Sequence, residues 1–353
     1  MILSIDFGGV VAKALLVEED GFDLVEVPLG FKTHPRPTIP EALRYVISQA
    51  LPAGRQAEAV YASGEIASVE LKEILTKPPL DPIEVLSKTE LPIIIVGAGM
   101  TYVNGQARRR ENMAYKAEEI SRWLPFRIKF SEIQNYFANK EIYPQLIPTT
   151  EREIKLEQAA ARVRIQALGT ESASGGRHQA LDEDYVIASG GVFSKAPSPS
   201  CVVSMLLDAL QPKSLLKIYL DQEQIVPALS TLAVYEEERA QEIFNQQPFA
   251  FLGTTFSAPE GVGLKIDLGL SEPQELEVDS GELAVFPLDI GQTAQVKFET
   301  GGQNGEFEAE GGPAGLVIDT RERPLELSPT EGERLRVLQE WEEGICRYPL
   351  FKK

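Results

Sequence analysis

Residues 1–20, MILSIDFGGVVAKALLVEED, join two apolar runs through a turn that carries Asp6, Gly8 and Gly9, with Lys13 just beyond it. ILSIDFG reads as one buried strand and VAKALLVEE as a second. A strand that ends in Asp-x-Gly-Gly and turns straight into another points backbone N–H groups into the turn. Such a nest holds an anion, typically a phosphate. Asp6 would face the same space and could hold a metal-bound water, and Lys13 could reach a phosphate. The same glycines also suit a plain hairpin that needs φ > 0, so the rest of the chain has to decide between the two.

Outward from this turn, FDLVEVPL alternates as a third strand, joined by the Asp-Gly hairpin EEDGF. TIPEALRYVISQAL gives a helix with Thr38 as its N-cap. AEAVYAS reads as a buried strand and SVELKEILTK as a short helix, so the order is that of a mixed α/β layer. The three prolines of ILTKPPLDPIEVL mark a crossover. LPIIIVGAGMTYVNGQ is a second apolar strand, broken at Gly97 and Gly99, with Thr101 as the nearby hydroxyl and an Asn-Gly turn after it. Three helical stretches follow, the last opening on a Thr150–Glu153 capping box. DYVIASGGVFSKAPSPS is a third strand that ends in a glycine turn, here Gly190 and Gly191. CVVSMLLDAL, LLKIYLD and QIVPALSTLAVY read as helix, strand and helix. From about Phe249 the texture changes to short alternating runs between glycine turns, an all-β pattern, and PTEGERLRVLQEWEEGICRY closes the chain as an amphipathic helix. The organisation expected is a first lobe over 1–90, a second over 91–248, a β module over 249–330 and a closing helix over 331–353.

Three glycine turns at strand ends, spread over two lobes, suit a nucleotide clamped between them. The pattern resembles the actin, sugar-kinase and Hsp70 superfamily. More closely, ILSIDFGGVVAK, YVIASGGVFSKAPSPS, LLDALQPKSLLKIYLDQEQIVPALSTLA and the tail GLVIDTRERPLEL resemble the MutL family associated with glutamate mutase, a family distinct from the mismatch-repair protein of similar name. The resemblance implies an α/β, two-lobed, actin-like (ribonuclease H-like) ATPase fold with an appended C-terminal all-β module. It implies ATP or ADP with Mg2+ as ligand. Asp6 would hold the metal through water and act in catalysis, Gly8, Gly9 and Lys13 would hold phosphate, Gly97, Gly99 and Thr101 would form the second loop, and Gly190 and Gly191 would pass beneath the adenosine. It also implies an ATP-driven chaperone or reactivator whose partner is a cobalamin-dependent mutase. The chain departs from the family at two places. Gly9 and Val10 replace a hydroxyl pair in the first loop, and Gly97 or Val96 stands where the second loop opens with an aspartate. Phosphoryl transfer depends on positioning and charge, so the expectation is slow or lost hydrolysis. The alternative is a non-catalytic actin-like scaffold for a protein assembly, of the pilus or cell-division kind.

Composition narrows the partners. The formal net charge is −19 over 353 residues, which argues against a nucleic-acid or anionic-membrane surface, since either needs a basic patch. The last 104 residues hold 20 Asp and Glu against 9 Lys and Arg, so −11 of the −19 lies there. Two cysteines, Cys201 and Cys346, fit free thiols in a reducing cytoplasm, and two histidines are too few for a His-rich metal site. No apolar run is long enough to span a bilayer. In VIDTRERP, arginines beside Asp319 read as a salt-bridged turn.

Overall fold

The computed structural model describes residues 1–8, 10–19, 21–29, 38–64, 71–89, 91–97, 100–104, 106–109, 116–169, 184–246, 249–258, 260–269 and 272–346. β1 (Ile2–Phe7), β2 (Val11–Val17) and β3 (Phe22–Pro28) form an antiparallel meander. α1 (Ile39–Ala50) follows, and β4 (Ala59–Gly64) returns parallel to β1, for a sheet order β3-β2-β1-β4. A parallel return needs a crossover, which α1 supplies. The helix starts on a full capping box: the Thr38 hydroxyl accepts from the Glu41 N–H and the Glu41 carboxylate accepts from the Thr38 N–H. Its stripe of Ala42, Leu43, Val46 and Ala50 then covers one sheet face. The short helix expected over SVELKEILTK is not seen. Its residues 68–70 lie outside the described residues, and Leu71–Lys77 makes turns with Leu71 and Leu75 buried. The stretch ahead of Pro78 and Pro79 is too short to repay helix nucleation.

After α2 (Pro82–Ser87), the second lobe repeats the plan. β5 (Ile93–Val96), β6 (Met100–Val103) and β7 (Gln106–Arg109) are again an antiparallel meander. After α3 (Ala117–Arg122), α4 (Phe130–Ile142) and α5 (Glu151–Gly169), β8 (Tyr185–Ser189) returns parallel to β5, and β9 (Leu215–Leu220) lies parallel to β8. The order β7-β6-β5-β8 is therefore β3-β2-β1-β4 over again. Even the sequence repeats at the return strands, as Ala62-Ser63-Gly64 and Ala188-Ser189-Gly190. Two meander-and-return halves make the chain a two-lobed, actin-like (ribonuclease H-like) α/β fold. α7 (Pro199–Leu210) and α5 pack on one face of the second sheet.

The last third divides between two sheets. β10 (Ala250–Ser257), β13 (Leu283–Phe286) and β16 (Leu316–Asp319) extend the second lobe's sheet beyond β9, in the order β13-β16-β10-β9. β11 (Val262–Asp267), β12 (Gln274–Val278), β14 (Thr293–Thr300) and β15 (Gln303–Glu310) form an antiparallel sheet of their own, in the order β12-β11-β14-β15. The sequence reading of 249–330 as one module misses this split because buried and half-buried strands alternate along the chain. The boundary at 248 shifts in the same way. α8 (Val226–Tyr235) and α9 (Glu237–Asn245) follow the second lobe in sequence, yet Ala228, Leu229, Leu232, Ala240 and Ile243 pack on the first lobe's sheet. Val226 lies instead with Ile93, Ile95 and Ile187 beneath the second lobe's sheet. One helix thus packs against both sheets.

The VIDTRERP turn is salt-bridged, and its network reaches well beyond the turn. The fully buried Arg321 guanidinium bonds Asp319 at 2.8 Å and Asp208 of α7 at 2.7 Å, and stacks on Trp341 of α10 (Glu331–Cys346). Arg162 of α5 pairs with the second oxygen of Asp208 at 2.6 Å, and Arg323 with Asp319 at 2.5 Å. Burial raises the cost of the Asp319 charge, but Arg321 and Arg323 outweigh it and hold the carboxyl below its ordinary range. The network ties the chain's end to the second lobe's helices.

Two glycines fix the parallel returns. Gly64 has φ +112°, and a Cβ there would stand 2.3 Å from the Phe7 carbonyl oxygen. Gly190 has φ +99°, and its Cβ would stand 2.5 Å from the Val96 oxygen. Gly54 has φ +80° but open space around it. Gly64→Ala and Gly190→Ala are each expected to cost roughly 2–4 kcal/mol, from strain and backbone overlap together. Gly54→Ala is expected to cost about 1 kcal/mol, from strain alone. Urea midpoints of the three variants check the order.

Candidate functional site

The carboxyl ends of β1, β5 and β8 open on one cavity of about 700 Å3 between the lobes. Asp6, Gly8, Lys13, Gly97, Gly190 and Gly191 all line it. The three turns singled out in the sequence are therefore brought together. Gly9 and Gly99 lie outside the described residues. Thr101 is buried and does not line the cavity: strand alternation turns it towards α5, where its hydroxyl accepts from Arg164 Nε at 2.8 Å.

Register explains what each lobe offers. Lys13 lies opposite Asp6 on one side and Glu26 on the other, and Asp6 lies opposite Ser63. The first lobe thus carries a row Glu26–Lys13–Asp6–Ser63, of which Glu26, Lys13 and Asp6 line the cavity. The matching row of the second lobe is Ala107–Tyr102–Ile95–Ser189. Ile95 is the counterpart of Asp6, because Ile95 faces Ser189 as Asp6 faces Ser63. The sequence reading put Gly97 or Val96 in that place; by register it is Ile95. Gly97 is the counterpart of Gly8, and Val96 of Phe7. The first lobe's charge at the site comes from its row, whereas the matching row of the second lobe packs with Leu86, Ile93 and Val226 as core.

The turns differ in what they leave open. At the second turn the Gly97 N–H donates to the Met100 oxygen at 2.9 Å. Arg164 donates to the Gly97 oxygen at 2.8 Å and the Met100 oxygen at 3.2 Å, bracing the turn from α5. At the third turn Gly190 is pressed against Val96, whereas an added Cβ at Gly191 would meet nothing within 4 Å. Gly191 is where the backbone is bare to the cavity. Lys195, at the end of α6 (Gly191–Ser194), lines the cavity beside it.

Asp221, just past β9, organises the junction. It is fully buried; its carboxylate accepts from the Ser189 hydroxyl at 2.7 Å and from the Ile225 and Val226 N–H groups at 2.8 and 3.0 Å. Burial raises its pKa, against the pull of these donors and of the Lys13 charge. One carboxylate thus holds the third turn, the start of α8 and, through charge, the first lobe's lysine.

The charged side chains lining the cavity are Asp6, Glu26 and Glu157 against Lys13, Lys140, Arg164 and Lys195, an excess of one positive charge in a chain of net charge −19. The second lobe adds an apolar wall of Phe137, Leu146, Ile147, Pro148 and Ile154. Sequence reasoning missed Glu26, Ile95, Arg164 and Lys195. The Ala-Ser-Gly repeat is the signal that could have aligned the two lobes and found Ile95. The contact from Arg164 to a turn more than sixty residues earlier has no local signal. Among the described residues no group of three or more His, Cys, Asp or Glu side chains is placed to hold a metal ion, and no helix is long and apolar enough to cross a membrane.

Comparison with known proteins gives distant structural likenesses. The activator of the 2-hydroxyisocaproyl-CoA dehydratase from Clostridium difficile, solved with bound ADPNP, is 14% identical, with 69% of this chain and 97% of that chain covered and a TM-score of 0.38. The ROK hexokinase from Thermus thermophilus is 13% identical over 67% of this chain and 99% of that chain, with a TM-score of 0.34. A putative 2-dehydro-3-deoxygalactonokinase from Sinorhizobium meliloti is 10% identical over 67% and 100%, also with a TM-score of 0.34. No curated protein matches the chain. The family described as MutL protein does match, over residues 105–247, a stretch that runs from the β6–β7 turn to the end of α9 and includes the third glycine turn. Over those residues the chain is similar to the MutL family.

Proposed function

We propose that the chain binds a nucleoside di- or triphosphate, ADP or ATP with Mg2+, in the cleft between its lobes. The observation that carries this reading is the convergence of three strand-end turns on one cavity that has a charged row on one lobe and an apolar wall on the other. A ligand with a polyanionic end and a flat apolar end matches both. Mg2+ is commonly held by one or two carboxylates together with substrate phosphates, and Asp6 supplies one carboxylate with no further protein ligand needed. Gly8 and Lys13 serve the phosphates, and Gly190 and Gly191 lie beneath the nucleoside. Gly97 contributes less, since its N–H is spent within the turn.

Hydrolysis is slow on this reading. Ile95 stands in the second lobe at the register where Asp6 stands in the first, so a water on that side lacks a carboxylate to orient it. Calorimetric titration of the full chain with ADP in magnesium is the test. One site per chain is expected, with affinity about tenfold weaker or worse in Lys13→Met, since a charged hydrogen bond to phosphate is lost. ATP turnover should fall well below one per second, under the ordinary range of phosphoryl-transfer enzymes. An absence of heat with both ADP and ATP contradicts the reading.

The MutL match supports a finer role, an ATP-dependent chaperone or reactivator of a cobalamin-dependent mutase. A nucleotide held between two lobes couples its state to their spacing, and a partner that touches both lobes reads that spacing. The exposed side of the β12-β11-β14-β15 sheet is a candidate contact. It presents Glu275, Glu277, Glu299, Glu306, Glu308 and Asp267 around Lys265 and Lys297. The expected outcome is that the chain with ATP restores turnover to a mutase inactivated by damaged cobalamin, and that the restoration weakens as salt rises. An inactivated mutase that stays inactive with chain and ATP leaves the scaffold alternative as the better reading.

A further inference from the structure

Lys13 is the buried cation of the first lobe's row, and it is already engaged. Its Nζ donates to Glu26 Oε2 at 2.5 Å, with the lysine side chain 8% exposed and the glutamate 47% exposed. The pair is directly opposed across β2 and β3, so the backbone register itself holds the two side chains together. Asp6 stands opposite Lys13 on the other side, and the Asp221 carboxylate feels the lysine's charge through space. Three carboxylates therefore surround one amine. Both members of the pair line the cavity.

We propose that Glu26 is an internal competitor for Lys13, a latch that an incoming phosphoryl group must displace. The inference rests on the nucleotide reading above and adds a residue to it. With the latch closed, the lysine is already paired with Glu26, and the row offers a phosphate the negative charge of Asp6. At this row a bare phosphate meets a carboxylate and an occupied lysine, and a divalent cation, by offsetting the carboxylates, lets it in. Glu26 is the movable member, because its side chain is half exposed and can swing out into solvent, whereas Lys13 is enclosed by the sheet and α8. No counterpart exists in the second lobe, where Ala107 stands opposite Tyr102. Glu26 is thus a positioning and selectivity residue, which makes nucleotide binding depend on magnesium.

The test is ADP titration of the full chain, of Glu26→Gln and of Glu26→Ser, each in magnesium and in excess chelator. Glu26→Gln is expected to bind ADP in chelator about tenfold more tightly than the unmodified chain, the size of one charged hydrogen bond returned to the ligand. Glu26→Ser, shorter and uncharged, should move the same way. The gain should vanish in the double variant Glu26→Gln with Lys13→Met, which a merely structural glutamate would not bring about. If the unmodified chain binds ADP and neither Glu26 variant binds it more tightly in chelator, the latch is wrong and the nucleotide reading stands. If no variant binds ADP under either condition, the nucleotide reading falls and takes the latch with it.

Discussion

The constraint on which the site depends is the backbone contact at the ends of the parallel pairs β1–β4 and β5–β8. There Gly64 passes Phe7, and Gly190 passes Val96, closer than any side chain allows. Each contact holds the carboxyl end of a central strand against its returning neighbour, and so fixes where the following turn points. With both contacts in place, the turns after β1, β5 and β8 face one space. Without them the strands would separate by the width of a methyl group, and the turns would lose their common focus. The site is therefore a product of sheet geometry before it is a product of any functional side chain.

On that frame the two lobes have taken different parts. In the first, the row beside the contact is charged: Glu26, Lys13 and Asp6. In the second, the same row is Ala107, Tyr102 and Ile95, and it belongs to the core. The second lobe's row carries no charge, and a buried charge without a partner is costly. The apolar second row also gives α8 a surface to pack on. That helix packs against both sheets, and its first turn is held by Asp221, which in turn holds Ser189. A movement of one lobe against the other must pass through this helix or around it.

Much of this was legible in the sequence. The opening hairpin, the helix begun at Thr38, the capping box at Thr150 and the three glycine turns each carry a local signal, and each stands where that signal put it. What was not legible depends on register or distance. Gly97 or Val96 looked like the counterpart of Asp6 because the glycine turn begins there; only the pairing of Ile95 with Ser189 puts Ile95 at the register of Asp6. Thr101 looked available because threonine is polar, but alternation along β6 turned it to Arg164. The C-terminal strands looked like one module because their local patterns are alike, and pattern does not say which sheet a strand joins. Arg321 looked like part of a local turn; its pairing with Asp208, over a hundred residues away, makes it part of the core.

The central claim is that three turns from two lobes hold one ligand. Hydrogen exchange of the full chain, with and without ADP and magnesium, addresses it most directly. The account predicts slower exchange on binding in the peptides that cover Asp6–Lys13 and Ser189–Lys195, with a smaller change over Ile95–Thr101, where Arg164 already braces the turn. Binding of ADP that leaves the first and third turns unchanged, or that protects a surface away from the cleft, would contradict it.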